Sequence, residues 1–295
     1  MMLFAGFEDH RIEGDGTDIF LRKAGDGPPL LLLHGYPQTH AMWHAVAARL
    51  VQHYTLVIPD LRGYGDSGKP ASDAAHRVHS KRATARDMVA VMDRLGFARF
   101  MVAGHDRGGR VTHRMCLDHP GCVTRAAVLD IVPTATLFAA TDKDIATGYY
   151  HWFFLAQPDG LPERLIGHEP EFFLRSCLAG WSGGRLDFFD PRALAEYERC
   201  FADPEVIHAT CEDYRAGAGI DLEDDAGDAH RRIECPLLVL WGRRGLMHRH
   251  FDVAATWREK TSAAVSAAAV DAGHFLCEEA PDTTASQLLG FFGSH

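Results

Sequence analysis

Apolar and polar positions before residue 130 and after residue 235 follow patterns that predict strands separated by helices. Some apolar runs are short and unbroken, as at residues 30–33 and 126–129, which is typical of strands buried on both faces. Strand-like runs occur at residues 19–23, 30–33, 55–59, 100–103, 126–129, 236–240 and 264–270. Helix-like runs occur at residues 42–50, 82–95, 111–118, 253–260 and 283–292. This order predicts an α/β fold with a mostly parallel, doubly wound sheet.

The alternation stops between residues 135 and 225, where an aromatic-rich sequence predicts helices broken by proline and glycine. A segment of about ninety residues is far longer than an ordinary connection between strands. We therefore predict a helical cap over residues 135–225, inserted after the strand that ends near Leu129. Residues 1–134 and 226–295 are then expected to form the core. The cap should cover the carboxyl ends of the parallel strands, where such sheets place their sites.

Residues 104–110, with the sequence GHDRGGR, follow an apolar strand and precede a helix-like run. A strand, a sharp turn and a helix, with glycine near the apex, are the context of a nucleophile elbow. The apex residue is Asp106, at a position where serine is usual. A carboxylate is poorly suited to acyl transfer, but it can displace a leaving group from an alkyl carbon and become an ester. The alternative role for Asp106 is to cap the following helix.

A base and an acid for this nucleophile are expected after later strands. His274 follows the last predicted strand, and a nucleophile that precedes its histidine in the chain resembles the order in α/β-hydrolases. Asp130 directly follows the strand that ends near Leu129, whereas no carboxylate before Asp252 follows the strand at residues 236–240. We therefore predict that Asp130 orients His274. The alternative role for Asp130 is a helix or loop cap.

Arg107 and Arg110 are three positions apart in the first turn after Asp106, so their side chains can lie on one side of the helix. A guanidinium group matches a carboxylate, and the amino end of a helix also favours an anion. The pair predicts a small anionic substrate; the alternative is two surface arginines in salt bridges. The backbone N–H groups of Tyr36 and Arg107 are expected to form an oxyanion hole.

The predicted cap offers three candidate hydrogen-bond donors for a departing halide: His151, Trp152 and Tyr214. The alternative for them is packing inside the cap, which is the expected role of most of its aromatic residues. The arginines and histidines at residues 243–250 predict a solvated loop. No metal site is predicted there, because no acid or third ligand is evident nearby.

Composition narrows the partners and the location. The chain of 295 residues has a formal net charge of −10 and no basic stripe, so nucleic-acid binding is not expected. No apolar run approaches the length of a membrane span, and residues 1–10 lack the apolar segment of a signal peptide. The seven cysteines are scattered and form no CxxC pair, which favours reduced thiols in a cytoplasmic protein.

Taken together, the motifs resemble those of fluoroacetate (haloacetate) dehalogenases of the α/β-hydrolase superfamily. The resemblance runs from about Leu30 to the C-terminus. It includes residues 34–39 (HGYPQT), 60–65 (DLRGYG), 104–110 (GHDRGGR), 130–134 (DIVPT), 150–152 (YHW), 211–216 (CEDYRA) and 273–275 (GHF). The elbow with both arginines is far more specific than the general signals of the fold.

The resemblance implies a role for each candidate residue. Asp106 would be the nucleophile, His274 the base and Asp130 the acid, with Arg107 and Arg110 binding the substrate carboxylate. His151, Trp152 and Tyr214 would hold the halide, and Trp181 would shape the pocket. The implied reaction displaces the halide of a 2-haloacetate and hydrolyses the Asp106 ester to release glycolate. The family needs no cofactor and is commonly homodimeric.

Three other functions stay open at this point. An epoxide hydrolase also uses aspartate at the elbow, together with a pair of cap tyrosines, but it would leave the two arginines without a role. A haloalkane dehalogenase typically has tryptophan where this chain has Arg107. A non-catalytic ligand-binding protein of this fold would not need Asp106, Asp130 and His274 together.

Overall fold

A computed structural model describes residues 3–293. Its eight-stranded sheet has the order β1-β2-β4-β3-β5-β6-β7-β8. The strands are β1 (Glu8–Glu13), β2 (Asp18–Ala24), β3 (Pro29–Leu33), β4 (Thr55–Pro59), β5 (Phe100–His105), β6 (Val123–Leu129), β7 (Leu237–Gly242) and β8 (Val265–Val270). β2 pairs antiparallel with β1 and β4, and the remaining neighbours are parallel. The predicted mostly parallel α/β sheet is confirmed.

The α-helices connect or follow the strands from β3 onward. They are α1 (His44–Leu50), α2 (Lys81–Arg94), α3 (Arg107–Asp118), α4 (Thr134–Ala139), α5 (Lys143–Gly148), α6 (Tyr150–Leu155), α7 (Leu161–Ile166), α8 (Pro170–Trp181), α9 (Pro191–Phe201), α10 (Pro204–Ala218), α11 (Ile220–Gly227), α12 (Leu246–His250), α13 (Val253–Arg258), α14 (Leu276–Glu279) and α15 (Pro281–Phe292). Helices α4 to α11 all lie between β6 and β7. The exact boundaries of the predicted core and cap stay predictions.

The centre of the sheet is buried on both faces, as its unbroken apolar runs predict. All residues of β4 and β5 are buried, and so are Leu30 to Leu33 of β3. Helix α3 packs against β5 and β6. Each large aliphatic side chain buried in this way stabilises the fold by about 1.5–3 kcal/mol. The turn that joins β5 to α3 is therefore held from both sides by well-packed elements.

Three local features differ from the sequence expectations. Residues 246–250, predicted as part of a solvated loop, form helix α12, in which Leu246 and Met247 are buried. Strand β1, with the sequence EDHRIE, was not predicted, because its mostly charged residues lack an apolar alternation. It forms an exposed edge strand through its pairing with β2. The helix expected over residues 42–50 begins instead with a short 3-10 turn at His40–Trp43, whose amino end is capped by the Thr39 hydroxyl. Across residues 3–293, no helix has both the length and the apolarity needed to cross a membrane.

Candidate active site

Asp106 occupies a sharp turn between β5 and α3. Its backbone has φ 45° and ψ −115°, which is unusual for any residue other than glycine. The turn is too tight for side chains at its glycines: a Cβ atom on Gly104 would lie 2.2 Å from the carbonyl oxygen of Gly108. A Cβ on Gly108 would lie 2.4 Å from the carbonyl oxygen of His34. The structure thus places Asp106 in a strained elbow, where the surrounding backbone fixes the carboxylate.

The Asp106 carboxylate is buried, and a backbone donor already contacts it. The N–H of Tyr36 donates to Oδ2 over 3.1 Å, from the loop that follows β3. Burial favours the neutral acid, but the positive charges of His274 and Arg110 outweigh it and hold the pKa of Asp106 below its usual range. The side chain is therefore an anion at neutral pH, as a nucleophile must be.

His274 and Asp130 meet beside the elbow. Nδ1 of His274 lies 2.6 Å from Oδ2 of Asp130, and both side chains are buried. The other Asp130 oxygen accepts a 2.9 Å hydrogen bond from the N–H of Gly242 at the end of β7. Burial lowers the pKa of His274, but the hydrogen bond with Asp130 and the negative charge of Asp130 raise it by more. The pKa of His274 is therefore raised above its usual value. Asp130 therefore fixes the orientation of the ring through Nδ1 and does not engage the second ring nitrogen, Nε2.

Arg107 is fully buried and only partly paired. Its Nε donates to Oδ2 of Asp213 and its Nη2 to the Asp213 carbonyl oxygen, both over 2.7 Å. The third nitrogen, Nη1, is buried and has no hydrogen-bond partner within residues 3–293. The alternative of an exposed arginine in a surface salt bridge is therefore wrong, since the salt bridge to Asp213 is internal.

Arg110 is also only partly hydrogen-bonded, and it forms no salt bridge to a carboxylate in the described chain. Its Nη1 donates to the carbonyl oxygen of Val132 over 3.1 Å and to Oγ1 of Thr134 over 3.0 Å. Its Nε is buried without a partner among the described residues. Burial lowers the pKa of Arg110 to about 10, which still leaves it positive at neutral pH. Two guanidinium groups beside Asp106 therefore each keep an unused buried donor.

His151 and Trp152 of α6 meet Tyr214 of α10 above these arginines. The Tyr214 ring lies 5.5 Å from that of His151 and 6.0 Å from that of Trp152, between centroids. The Arg107 guanidinium lies 4.2 Å from the centroid of Tyr214, and that of Arg110 lies 4.4 Å from Trp152. Cation–π contacts of this kind tie the two layers together.

Two polar atoms of this aromatic group stay unsatisfied. His151 Nδ1 and Tyr214 Oη are buried, and neither has a hydrogen-bond partner among residues 3–293. Burial lowers the pKa of His151 to about 3, so its ring is neutral, and burial raises the pKa of the Tyr214 hydroxyl well above its usual range. Unsatisfied buried donors are rare in folded proteins, and a bound ligand is one explanation for them.

Trp181, at the end of α8, lies next to the histidines of the site. Its ring is 4.3 Å from that of His151 and 5.7 Å from that of His274, between centroids. It also lines a cavity of about 200 Å³ that reaches His274 and Tyr149, with Arg249 among its lining residues. The cavity therefore lies directly beside His274.

Sequence reasoning missed the charged residues behind Arg107. Oδ2 of Asp213 also accepts a 2.8 Å hydrogen bond from the Tyr64 hydroxyl, and its Oδ1 accepts one from the Lys81 ammonium group. Lys81 in turn contacts Asp221. All of these side chains are buried. Asp213 belongs to the motif CEDYRA, and its place beside Tyr214 was the only sequence signal.

Glu163, His208 and Glu212 bring three possible metal-binding atoms within 4.8 Å of one another. The guanidinium group of Arg215 already pairs with both carboxylates, at 2.6 Å from Glu163 and 2.7 Å from Glu212. His76 contacts the other Glu212 oxygen over 2.6 Å. Arg215 thus supplies the positive charge that a metal ion would otherwise bring to these carboxylates.

The structure brings an aspartate at a sharp turn, a histidine–carboxylate pair and a layer of helices together in one site. A family profile for the alpha/beta hydrolase fold matches residues 28–281. The chain belongs to the alpha/beta hydrolase fold family.

Within this alpha/beta hydrolase family, the chain is 46% identical to a fluoroacetate dehalogenase of Burkholderia sp over 289 residues, which cover 98% of this chain and 95% of that protein. It is 32% identical to a soluble epoxide hydrolase of Corynebacterium sp. (strain C12), over 96% of each chain. A crystal structure from Nostoc sp PCC 7120, assigned to the alpha/beta hydrolases, superposes with a TM-score of 0.97, 53% identity and full coverage of both chains.

Proposed function

We propose that this alpha/beta hydrolase removes the halogen of a small 2-haloacetate, converting fluoroacetate to glycolate and fluoride. The observation that carries the proposal is the pair of unused, buried guanidinium donors beside an ionised elbow aspartate. In this proposal Arg107 Nη1 and Arg110 Nε, both buried without a partner among the described residues, bind the substrate carboxylate, and Asp106 attacks the adjacent carbon. The similarity to the Burkholderia fluoroacetate dehalogenase supports the same activity.

In the first step, Asp106 attacks the halogen-bearing carbon from the side opposite the halogen. The carbon–halogen bond breaks as the ester bond forms, and the halide departs toward His151, Trp152 and Tyr214. Hydrogen bonds to a charged group contribute about 1.5–3 kcal/mol each, and they strengthen as charge grows on the leaving atom. Fluoride gains most from such donors, since it leaves most reluctantly.

In the second step, water hydrolyses the ester. His274, held by Asp130, takes a proton from water, which attacks the Asp106 carbonyl carbon. The N–H groups of Tyr36 and Arg107 would stabilise the oxyanion; that of Tyr36 already donates to Asp106. The charge of Asp106 is one cause of the raised pKa of His274. Ester formation removes that charge, so His274 becomes more readily neutral when it must act as a base.

The arginines favour this function over the hydrolysis of neutral epoxides or haloalkanes. The guanidinium group of Arg110, which has no carboxylate partner in the described chain, is costly to keep beside an uncharged substrate. The same group serves an anion well. The buried charged groups beside Asp106, Asp130 and His274 also argue against a purely structural role for these three residues.

The direct test is to measure fluoride and glycolate from fluoroacetate, with styrene oxide and a chloroalkane as neutral alternatives. We expect equal amounts of fluoride and glycolate, and no diol from styrene oxide. Asp106→Asn should abolish release, whereas Asp144→Asn, an exposed substitution in α5, should not change it. Diol formation from styrene oxide without fluoride release would refute the proposal in favour of an epoxide hydrolase.

We further propose that the protein is cytoplasmic and works as a homodimer, without a cofactor. All seven cysteines are free thiols, which suits a reducing compartment. The side chains of Leu161, Leu165 and Phe172 are exposed on α7 and α8, and they could pack against a second copy. Light scattering after size-exclusion chromatography tests the dimer, and a monomer at micromolar concentration would contradict it.

A further inference from the structure

The Tyr214 hydroxyl offers more than halide release requires. A halide leaves as a stable anion, so it needs hydrogen bonds but no proton. Tyr214 presents a buried, unpartnered O–H, and the charge of Asp106 acts on it directly. A hydroxyl in that position can also give its proton to a leaving oxygen atom.

We propose that the same site hydrolyses small 2,3-epoxycarboxylates, of which glycidate is the smallest, with Tyr214 as the proton donor. This inference rests on the proposed function, because it uses the same nucleophile, base and carboxylate-binding arginines. It adds a second leaving group, an epoxide oxygen, and so a second reaction class.

The substrate carboxylate explains why this epoxide would bind in the site where a neutral epoxide would not. In glycidate the carbon next to the carboxylate carries the ring oxygen, just as the same carbon of a haloacetate carries the halogen. The oxygen then occupies the halogen position, and the molecule grows by a single methylene group. Arg107 Nη1 and Arg110 Nε can hold its carboxylate as they would hold that of a haloacetate.

The bonds and protons balance in two steps. An Asp106 oxygen attacks the α-carbon, the bond from that carbon to the ring oxygen breaks, and the oxygen stays on the β-carbon as an alkoxide. Tyr214 gives this alkoxide its proton and becomes a phenolate. Water, deprotonated by His274, then attacks the ester carbonyl carbon of Asp106. The bond from this carbon to the α-oxygen of the substrate breaks, and that oxygen takes the second proton of the water, so Asp106 returns to a carboxylate. The proton held by His274 returns to Tyr214, and the net reaction is glycidate plus water to glycerate.

The charges around Tyr214 suit this sequence. Burial raises the pKa of the hydroxyl, the negative charge of Asp106 raises it further, and the Arg107 guanidinium, 4.2 Å from the ring centroid, lowers it. When Asp106 becomes an ester, its charge disappears and that of Arg107 remains. Tyr214 thus becomes a stronger acid in the step in which its proton is needed, and the phenolate lies against a cation.

The test compares glycidate with bromoacetate and with glycidamide, the neutral amide of the same skeleton. We expect glycerate from glycidate, and kcat/KM for glycidamide at least about a hundredfold lower, since it lacks the charge that the arginines bind. Enantiopure glycidate should give glycerate with inverted configuration at the α-carbon, because Asp106 attacks there from the rear. Retained configuration would contradict attack at that carbon and overturn the mechanism.

Tyr214→Phe separates proton donation from halide binding. It should lower kcat/KM for glycidate by about a hundredfold or more, the usual contribution of a general acid. Bromide leaves without a proton, so bromoacetate should lose only the single hydrogen bond of Tyr214, about tenfold at the lower end of its range, and the remaining activity also shows that the variant is folded. Tyr150→Phe, which removes a half-exposed hydroxyl from α6, is the matched control and should leave both rates unchanged.

The outcomes distinguish this inference from the function on which it rests. Bromoacetate turnover with no glycerate from glycidate would overturn the inference and leave the proposed function standing. Equal losses for both substrates in Tyr214→Phe would overturn the role of Tyr214 as proton donor. Glycerate formation by a protein that releases no halide from any haloacetate would support the epoxide activity and refute the proposed function.

Discussion

We predict that Arg110 lowers the free energy of unfolding and is needed for activity. The substitution Arg110→Met tests both effects. The guanidinium group is buried and has no salt bridge to a carboxylate in the described chain. Burial lowers its pKa to about 10, and this drop corresponds to roughly 3 kcal/mol of unfavourable interaction with the charged form. Methionine has a similar length and no charge, so it removes that cost.

The hydrogen bonds of Arg110 with Val132 and Thr134 offset part of the gain, at about 1 kcal/mol each. We therefore expect the free energy of unfolding of Arg110→Met to stay level or rise by about 1–2 kcal/mol. Activity should move the other way. The lost contact with the substrate carboxylate, about 1.5–3 kcal/mol, should lower kcat/KM for chloroacetate roughly ten- to hundredfold.

Urea unfolding and chloride release measure the two quantities on the same samples. Arg114→Met is the matched control, one turn further along α3. Arg114 is also buried, but it pairs with Asp118 over 2.8 Å and Asp228 over 2.7 Å. Breaking those pairs should destabilise the fold by about 3–5 kcal/mol and leave kcat/KM of the folded protein unchanged. If Arg110→Met lost as much stability as Arg114→Met and kept its kcat/KM, the proposed role of Arg110 would be refuted.

Two further predictions concern the two steps of the reaction. Trp152→Phe removes one N–H from the halide position, so it should lower fluoroacetate turnover more than chloroacetate turnover; equal losses in steady-state assays would indicate a packing role for Trp152. The pKa of His274 is raised and that of Asp106 is lowered. As the pH falls and His274 of the ester takes up a proton, ester hydrolysis should therefore slow while halide displacement continues. Rapid-quench measurements should then find a burst of halide that grows toward acidic pH, and a burst that shrinks there would contradict the assigned roles.

Sequence reasoning succeeded where the pattern is local or set by the order of strands. The elbow at residues 104–110 has its glycines in the spacing that a tight turn requires. Asp130 and His274 each follow a strand, and parallel strands bring such ends together at one edge of the sheet. Their 2.6 Å contact could thus be predicted as a pair although 144 positions separate them.

Contacts that depend on packed helices could not be predicted in this way. Asp213 is 106 positions from Arg107, on a helix whose rotation and depth follow from many small packing contacts. Nothing in the spacing of Lys81 and Tyr64 shows that their side chains meet at Asp213. Strand β1 was missed for a related reason, since its hydrogen bonds with β2 outweigh a sequence that lacks strand-like alternation.

The central claim is that Asp106 forms an ester that His274 is needed to hydrolyse. The most direct measurement is the intact mass of His274→Asn after incubation with chloroacetate, followed by peptide mapping. We predict a gain of one carboxymethyl group, located on Asp106, because displacement proceeds and hydrolysis does not. An unmodified His274→Asn protein, under conditions in which the wild type releases chloride, would contradict the claim.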